Sequence, residues 1–218
     1  VVDDGSTADE TVQALDALDR QSLRLLRLAR NRGLPYSRNA GISASRSEVV
    51  MLLDADDRLA PRAIQKMMDL MNSDPDCDFV FSDIQMFGDK TGTLRCCLNP
   101  FQQLFVNKLP YALLVKKRAW AACGKYDESL VQGYEDWAFN LALTFAGFKG
   151  RHVSEPLLEY RVSNTGLLLS RSRKMHFTIW SQLRKRFENA YSVSGLRRAW
   201  VASKDLGFSY HPILLLSL

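Results

Sequence analysis

Histidine is scarce in this chain. There are three in 218 residues, and His152, His176 and His211 show no metal-ligand spacing. Cysteine is nearly as rare: Cys77, Cys96, Cys97 and Cys123 form no C-x2-C pair, so the usual zinc arrangement is excluded. Four thiols in a chain of this length suit a reducing compartment, and the expected location is the cytoplasm. No apolar run approaches the roughly 18 residues of a spanning helix. The ending "HPILLLSL", His211 to Leu218, is apolar but far too short. No secretory signal opens the chain, and it has no internal repeat, low-complexity tract or clear linker. These absences exclude a zinc module, a disulfide-stapled domain and an integral membrane segment.

The chain does have the composition of a globular protein, 46% hydrophobic and 24% charged. Its formal charge of +5 is unevenly spread. Residues 1–150 carry 18 Lys+Arg against 20 Asp+Glu, whereas residues 151–218 carry 11 against 4. The basic excess lies wholly in the last third. It reads either as a solvated helix face or as a surface for anions such as lipid headgroups at the inner face of a membrane.

Hydrophobic patterning alternates along the first half. "VV" leads into "DDGST" like the end of a buried strand, and Val12, Leu15 and Leu18 follow at helical spacing. "LRLLRL" predicts a strand, and a helix is expected from about Tyr36 to Ala44 after Gly33 and Pro35. "EVVMLLDADD" is an apolar run ending in acids. Ile64, Met67, Met68 and Met71 then predict a helix, and "CDFVFSD" another strand. Strand and helix in alternation imply an α/β fold with a mostly parallel sheet. Further on, a helix around Phe101 to Val106, a strand at "YALLV", a helix starting at Glu135 and a strand pair in "HVSEPLLEYRV" are expected. In the tail, Met175, Ile179, Leu183 and Phe187 recur every four residues and predict a helix.

In such sheets ligands bind beyond the carboxyl ends of strands. Both acidic clusters, Asp3-Asp4 and Asp54-Ala55-Asp56-Asp57, fall at such ends. A D-x-D pair of hard oxygen ligands suits Mg2+ or Mn2+, which commonly shares a carboxylate or two with substrate phosphates. The same acids could instead cap the helix near Pro61. An EF-hand is excluded, since it needs Gly at the sixth position and Glu at the twelfth. In "YEDW", Glu135 and Asp136 sit at a predicted helix N-terminus, where they serve either as caps or as a general base. Arg38 is either a surface arginine or a contact to a diphosphate.

Taken in order, "VVDDGST", "NRGLPYSRNAGI", "LLDADD", "GKYDESLVQGYEDWAF" and "PLLEYRV" resemble glycosyltransferase family 2 over roughly residues 1–165. That resemblance implies a Rossmann-like sheet of the A-type nucleotide-sugar fold, with 1–165 as the catalytic domain and 166–218 as a basic helical extension. It implies that Asp3 and Asp4 contact the nucleotide base, that Arg38 lies near the nucleotide and that Asp54 faces the donor ribose. Asp56 would bind a divalent metal, Mn2+ or Mg2+, on the diphosphate. Asp136 would be the catalytic base of an inverting transfer, with Glu135 beside it in the acceptor region. The implied partners are a nucleotide-sugar donor, UDP-linked by family habit, and a glycan, polysaccharide or lipid-linked acceptor, with no nucleic acid. Rival readings are a non-catalytic nucleotide-sugar-binding fragment and a metal-dependent nucleotidyltransferase. The sequence departs from the family pattern twice. The apolar strand expected before "VVDDGS" is absent, so the chain reads as an N-terminally truncated copy with exposed sheet edges. Ser163 and Asn164 also stand after "YR", where many relatives carry a His.

Overall fold

The computed structural model describes residues 1–19, 23–164 and 174–206. The ending "HPILLLSL", with His211, lies outside them. The chain opens with β1 (Val2–Asp3), α1 (Asp9–Asp19), β2 (Leu26–Arg27) and α2 (Leu34–Ala44). Next come β3 (Val49–Met51), β4 (Arg58–Leu59), α3 (Ala63–Ser73), β5 (Phe79–Gly88) and β6 (Gly92–Leu94). The second half holds α4 (Pro100–Gln103), β7 (Leu114–Lys116), α5 (Lys117–Ala122), α6 (Glu135–Phe145) and β8 (Gly150–Val162). The C-terminal helices are α7 (His176–Arg186), α8 (Glu188–Tyr191) and α9 (Val193–Ser203).

The α/β class and the helical C-terminal part match expectation. The pairing is richer than a uniformly parallel sheet. β1 and β2 pair in parallel as a two-stranded unit, and the main sheet runs β3-β7-β5-β8-β4, with β6 on β5. The long β5–β8 ladder is parallel. The short ladders that β5 makes with β6 and β7, and those of β3–β7 and β4–β8, are antiparallel. The expected strand pair over "HVSEPLLEYRV" is one 13-residue strand whose register against β5 shifts at Ser82 and Asp83, a bulge that bends it.

β5 is paired along both edges by β7 and β8, and both its faces are covered by other elements, so its apolar run is continuous: Phe79, Val80 and Phe81 are all fully buried. On one side α3 packs Met67 and Met71 against Val80, Leu114 and Leu157. On the other, Phe139 and Leu143 of α6 join Phe79, Phe81, Val115 and Trp120. The opposite face of α6 is buried too. Trp137, Ala138 and Leu141 pack with Ile179 and Leu183 of α7, Ala190 of α8 and Ala199 of α9. A helix apolar all round is what this sandwiching requires. The four-residue spacing in the tail thus marks a face that packs on the α6 layer.

Candidate active site

α6 begins where the sequence placed it, at Glu135. Its N-cap, Tyr134, is left-handed at φ 64°, a conformation costing a non-glycine residue about 1 kcal/mol or more. The turn is held by the Tyr134 ring edge-on to Trp137 at 5.4 Å and by the Tyr134 hydroxyl 3.0 Å from His176 Nδ1. Strain concentrated one residue ahead of two acids is a mark of functional sites.

Arg38, on the inner side of α2, joins three elements. Its Nη1 donates to Glu135 Oε1 at 2.7 Å, and its Nη2 donates to Asp54 Oδ1 and Oδ2 at 3.1 and 3.2 Å. Arg38 and Glu135 are both about 95% buried. Burial alone would lower the Arg38 pKa, but Asp54 and Glu135 outweigh it and raise the pKa, keeping the guanidinium charged. The rings of Tyr111 and Tyr126 flank the guanidinium, centred 5.1 and 5.6 Å away. The pKa of Glu135 is raised by burial and by Asp136, against the pull of Arg38. The pKa of Asp136 is raised chiefly by burial, with Arg38 opposing.

The three crowded carboxylates of the acidic loop have three different fates. Asp54 faces Arg38. Asp57 is buried and accepts from the Tyr111 hydroxyl at 2.7 Å and from the Arg161 backbone N–H at 2.7 Å. The Tyr111 hydroxyl also accepts from the Asp54 N–H at 3.0 Å, which ties Asp54 and Asp57 together. Asp56 is exposed. Its backbone carbonyl accepts from Arg161 Nε, but among the described residues no ion pair or hydrogen bond engages its carboxylate. Neither Asp56 nor Asp57 caps α3, which starts at Ala63 after Arg62 with no side-chain cap.

The first acidic pair lies on the two-stranded unit. Asp3 is buried and accepts the Ser6 N–H, and Ser6 with burial opposing it sets a lowered pKa. Asp4 accepts the N–H groups of Arg32 and Gly33 at 2.7 and 2.8 Å, fixing the loop that enters α2. Gly5 beside it has φ 75°, and a Cβ there would lie 2.6 Å from the Arg30 carbonyl carbon, so this loop crossing admits only glycine.

Arg38, Asp54, Glu135 and Asp136 therefore form one charged cluster, and Asp56 stands exposed at its margin. Asp3 and Asp4 organise the neighbouring loop at the start of α2. Sequence reasoning missed Tyr111, hidden in the apolar run "YALLV", and Asn107, whose Nδ2 donates to Asp136 Oδ2 at 2.9 Å. Among the described residues no three or more His, Cys, Asp or Glu side chains converge as a metal cage. A hard cation at Asp56 would take its remaining oxygens from phosphate and water, as Mg2+ commonly does. The exposed, uncompensated Asp56 carboxylate fits that arrangement.

The family model described as Glycosyl transferase family 2 matches residues 1–124. An uncharacterised glycosyltransferase of Methanocaldococcus jannaschii, MJ1057, is 26% identical over 192 residues, 84% of this chain and 65% of that protein. Among solved structures, S. aureus TarS 1-349 in complex with UDP-GlcNAc superposes with a TM-score of 0.60 at 15% identity, covering 75% of this chain and 49% of that one. The mannosyltransferase PcManGT from Pyrobaculum calidifontis, in complex with GDP-Man and Mn2+, gives 0.57 at 18% identity, covering 99% and 68%. At these identities the structural likeness establishes the fold. The chain spans less than two thirds of the length of the M. jannaschii relative.

Proposed function

The chain belongs to glycosyltransferase family 2, and from that premise we propose that it moves a sugar from a nucleotide-sugar donor to a glycan, polysaccharide or lipid-linked hydroxyl with inversion at the anomeric carbon. One observation carries the assignment of roles. Of the two acids opening α6, Glu135 is locked against Arg38, whereas Asp136 is only partly buried and, among the described residues, holds no ion pair. Asp136 is therefore the group able to receive a proton, and its raised pKa moves it toward the working range of a general base. In the proposed reaction Asp136 takes the proton of the acceptor hydroxyl. The acceptor oxygen attacks the anomeric carbon from the face opposite the diphosphate. The bond from that carbon to the phosphate oxygen breaks, and the nucleoside diphosphate leaves with the electron pair. Asp54, held by Arg38, faces the ribose side of the donor, and Asp3 and Asp4 lie toward the base.

Asp56 would hold the divalent metal, which supplies charge stabilisation to the departing diphosphate. The complexes of similar proteins with UDP-GlcNAc, and with GDP-Man and Mn2+, support a nucleotide-sugar donor and a metal. We expect Asp56→Asn to weaken Mn2+-dependent binding of UDP or GDP by about tenfold or more, read by calorimetry. Equal metal dependence in wild type and variant would remove Asp56 from the metal site.

A peripheral membrane contact is the finer proposal for the tail. On α9, the exposed Val193, Trp200 and Val201 share one face with Arg197, and Lys204 follows at the C-cap, a mixture suited to a headgroup layer. Among the described residues no helix is long and apolar enough to cross a membrane. Cosedimentation with anionic vesicles at low salt, lost with neutral vesicles, is the expected result. Absence of cosedimentation at low salt would end this reading.

A further inference from the structure

Asn107 lies in the loop between α4 and β7 and has an unusually determined orientation. A carboxamide offers one acceptor oxygen and two N–H donors, and which end points where is set by its partners. Here backbone groups settle the matter. The Lys108 N–H can only donate, and it donates to Gln103 Oε1 at 3.0 Å. Gln103 must therefore turn its Nε2 toward Asn107, where it donates to Oδ1 at 2.8 Å. The carbonyls of Leu109 and Pro110 can only accept, and they lie 3.4 and 3.5 Å from Asn140 Nδ2. That Nδ2 also donates to Asn107 Oδ1 at 3.0 Å. With two donors on its oxygen, Asn107 has only its Nδ2 left for Asp136. The reverse orientation would set amide N–H groups against two N–H donors and an oxygen against a carboxylate.

We infer that Asn107 is a positioning residue for the proposed base: a hydrogen-bond chain of fixed polarity, Lys108 to Gln103 to Asn107, gives Asp136 Oδ2 a side-chain donor and sets the orientation of the carboxylate that takes the proton. The inference rests on Asp136 being the base. Among the described residues Asn107 is the side chain that donates to this carboxylate, and the backbone N–H groups of Trp137 and Asp136 at the start of α6 act on it as well. Anchored this way, the carboxylate plane is held in one orientation, which keeps an accepting lone pair at one place. The donor also favours the ionised form against burial. The titratable and charged groups acting on Asp136 are Arg38 from α2, Asp54 from the loop after β3, Tyr126 from the loop after α5, Tyr160 from β8 and its neighbour Glu135, and the backbone N–H groups of Trp137 and Asp136 also favour its ionised form. Arg38 favours ionisation, and Asp54 opposes it.

The test is a 13C NMR titration of aspartate-labelled protein, with Asp136→Asn used to assign the resonance. It needs no acceptor. Asn107→Ala should raise the Asp136 midpoint by about one pH unit, the scale of one lost hydrogen bond to a charged group. Asn107→Asp keeps the shape and the two incoming amide bonds. It should raise the midpoint further, because facing carboxylates share a proton. The acid limb of UDP release from UDP-GlcNAc, or of GDP release from GDP-mannose, should move the same way, with KM for the donor nearly unchanged. A purely structural role would lower Tm and leave the Asp136 midpoint where it was. An unmoved midpoint in both folded variants overturns the inference even if Asp136→Asn is inactive. Nucleotide release by Asp136→Asn at the wild-type rate removes the base assignment, and the positioning role falls with it.

Discussion

Asp136→Asn lowers turnover by roughly 10²–10⁴-fold and leaves nucleoside diphosphate binding nearly unchanged, the range expected for loss of a positioned general base. The substitution is close to isosteric, and its amide can still accept from Asn107 Nδ2. It removes one negative charge from a cluster where Asp136 and Glu135 destabilise one another's ionised forms, so the fold should not suffer. What disappears is the ability to take a proton. The check is paired: nucleotide release from the donor sugar for turnover, and calorimetry for binding. A variant that loses binding and turnover by equal factors would place Asp136 in donor recognition and reject its role as base.

The second large effect is on stability. Arg38→Met should cost about 3–5 kcal/mol, because removing one partner of a buried ion pair leaves the other charge uncompensated. In a chain of this size that corresponds to a fall in Tm of about 10 °C. The cost should depend on pH in a definite direction. Burial already raises the Glu135 pKa, and Arg38 opposes that rise. Without Arg38 the folded state holds the Glu135 proton to still higher pH than the unfolded chain does. The folded form then binds more protons, so stability falls as pH rises. Thermal melts of wild type and Arg38→Met at pH 5 and pH 8 should show the larger gap at pH 8. Arg38→Lys keeps the charge but loses the fork that spans Asp54 and Glu135, and should fall between the two. A gap independent of pH would mean that Glu135 is not the group left unpaired.

Much of this arrangement is visible in single stretches of sequence. The apolar runs that end in "DDGST" and "DADD" place acids at strand ends, and "GYEDW" places two more at the start of α6. Local pattern reaches that far because strand ends and helix starts are set by neighbours in sequence. The pairing of those acids is not local. Arg38 and Glu135 meet across 97 residues, and only packing reveals that Arg38 spans two carboxylates from inside the protein. Tyr111 is read as one more apolar residue of "YALLV", although its hydroxyl joins the Asp54 and Asp57 segments. Asn107 carries no periodic signal at all. The sheet shows the same division. The alternation of strand and helix gives α/β, but strand direction is not encoded in periodicity, so the antiparallel placement of β7 between β3 and β5 emerges only from the fold.

The measurement that bears most directly on the proposed site is a calorimetric titration of nucleoside diphosphates, UDP and GDP first, into wild type and Asp56→Asn, with and without Mn2+. The structure leads us to expect Mn2+-dependent binding by wild type that is weakened in the variant, with the acidic loop holding the diphosphate through a cation. Binding of neither nucleotide with Mn2+ present, or binding indifferent to both Mn2+ and Asp56, would contradict the assignment of this loop to a nucleotide-sugar donor.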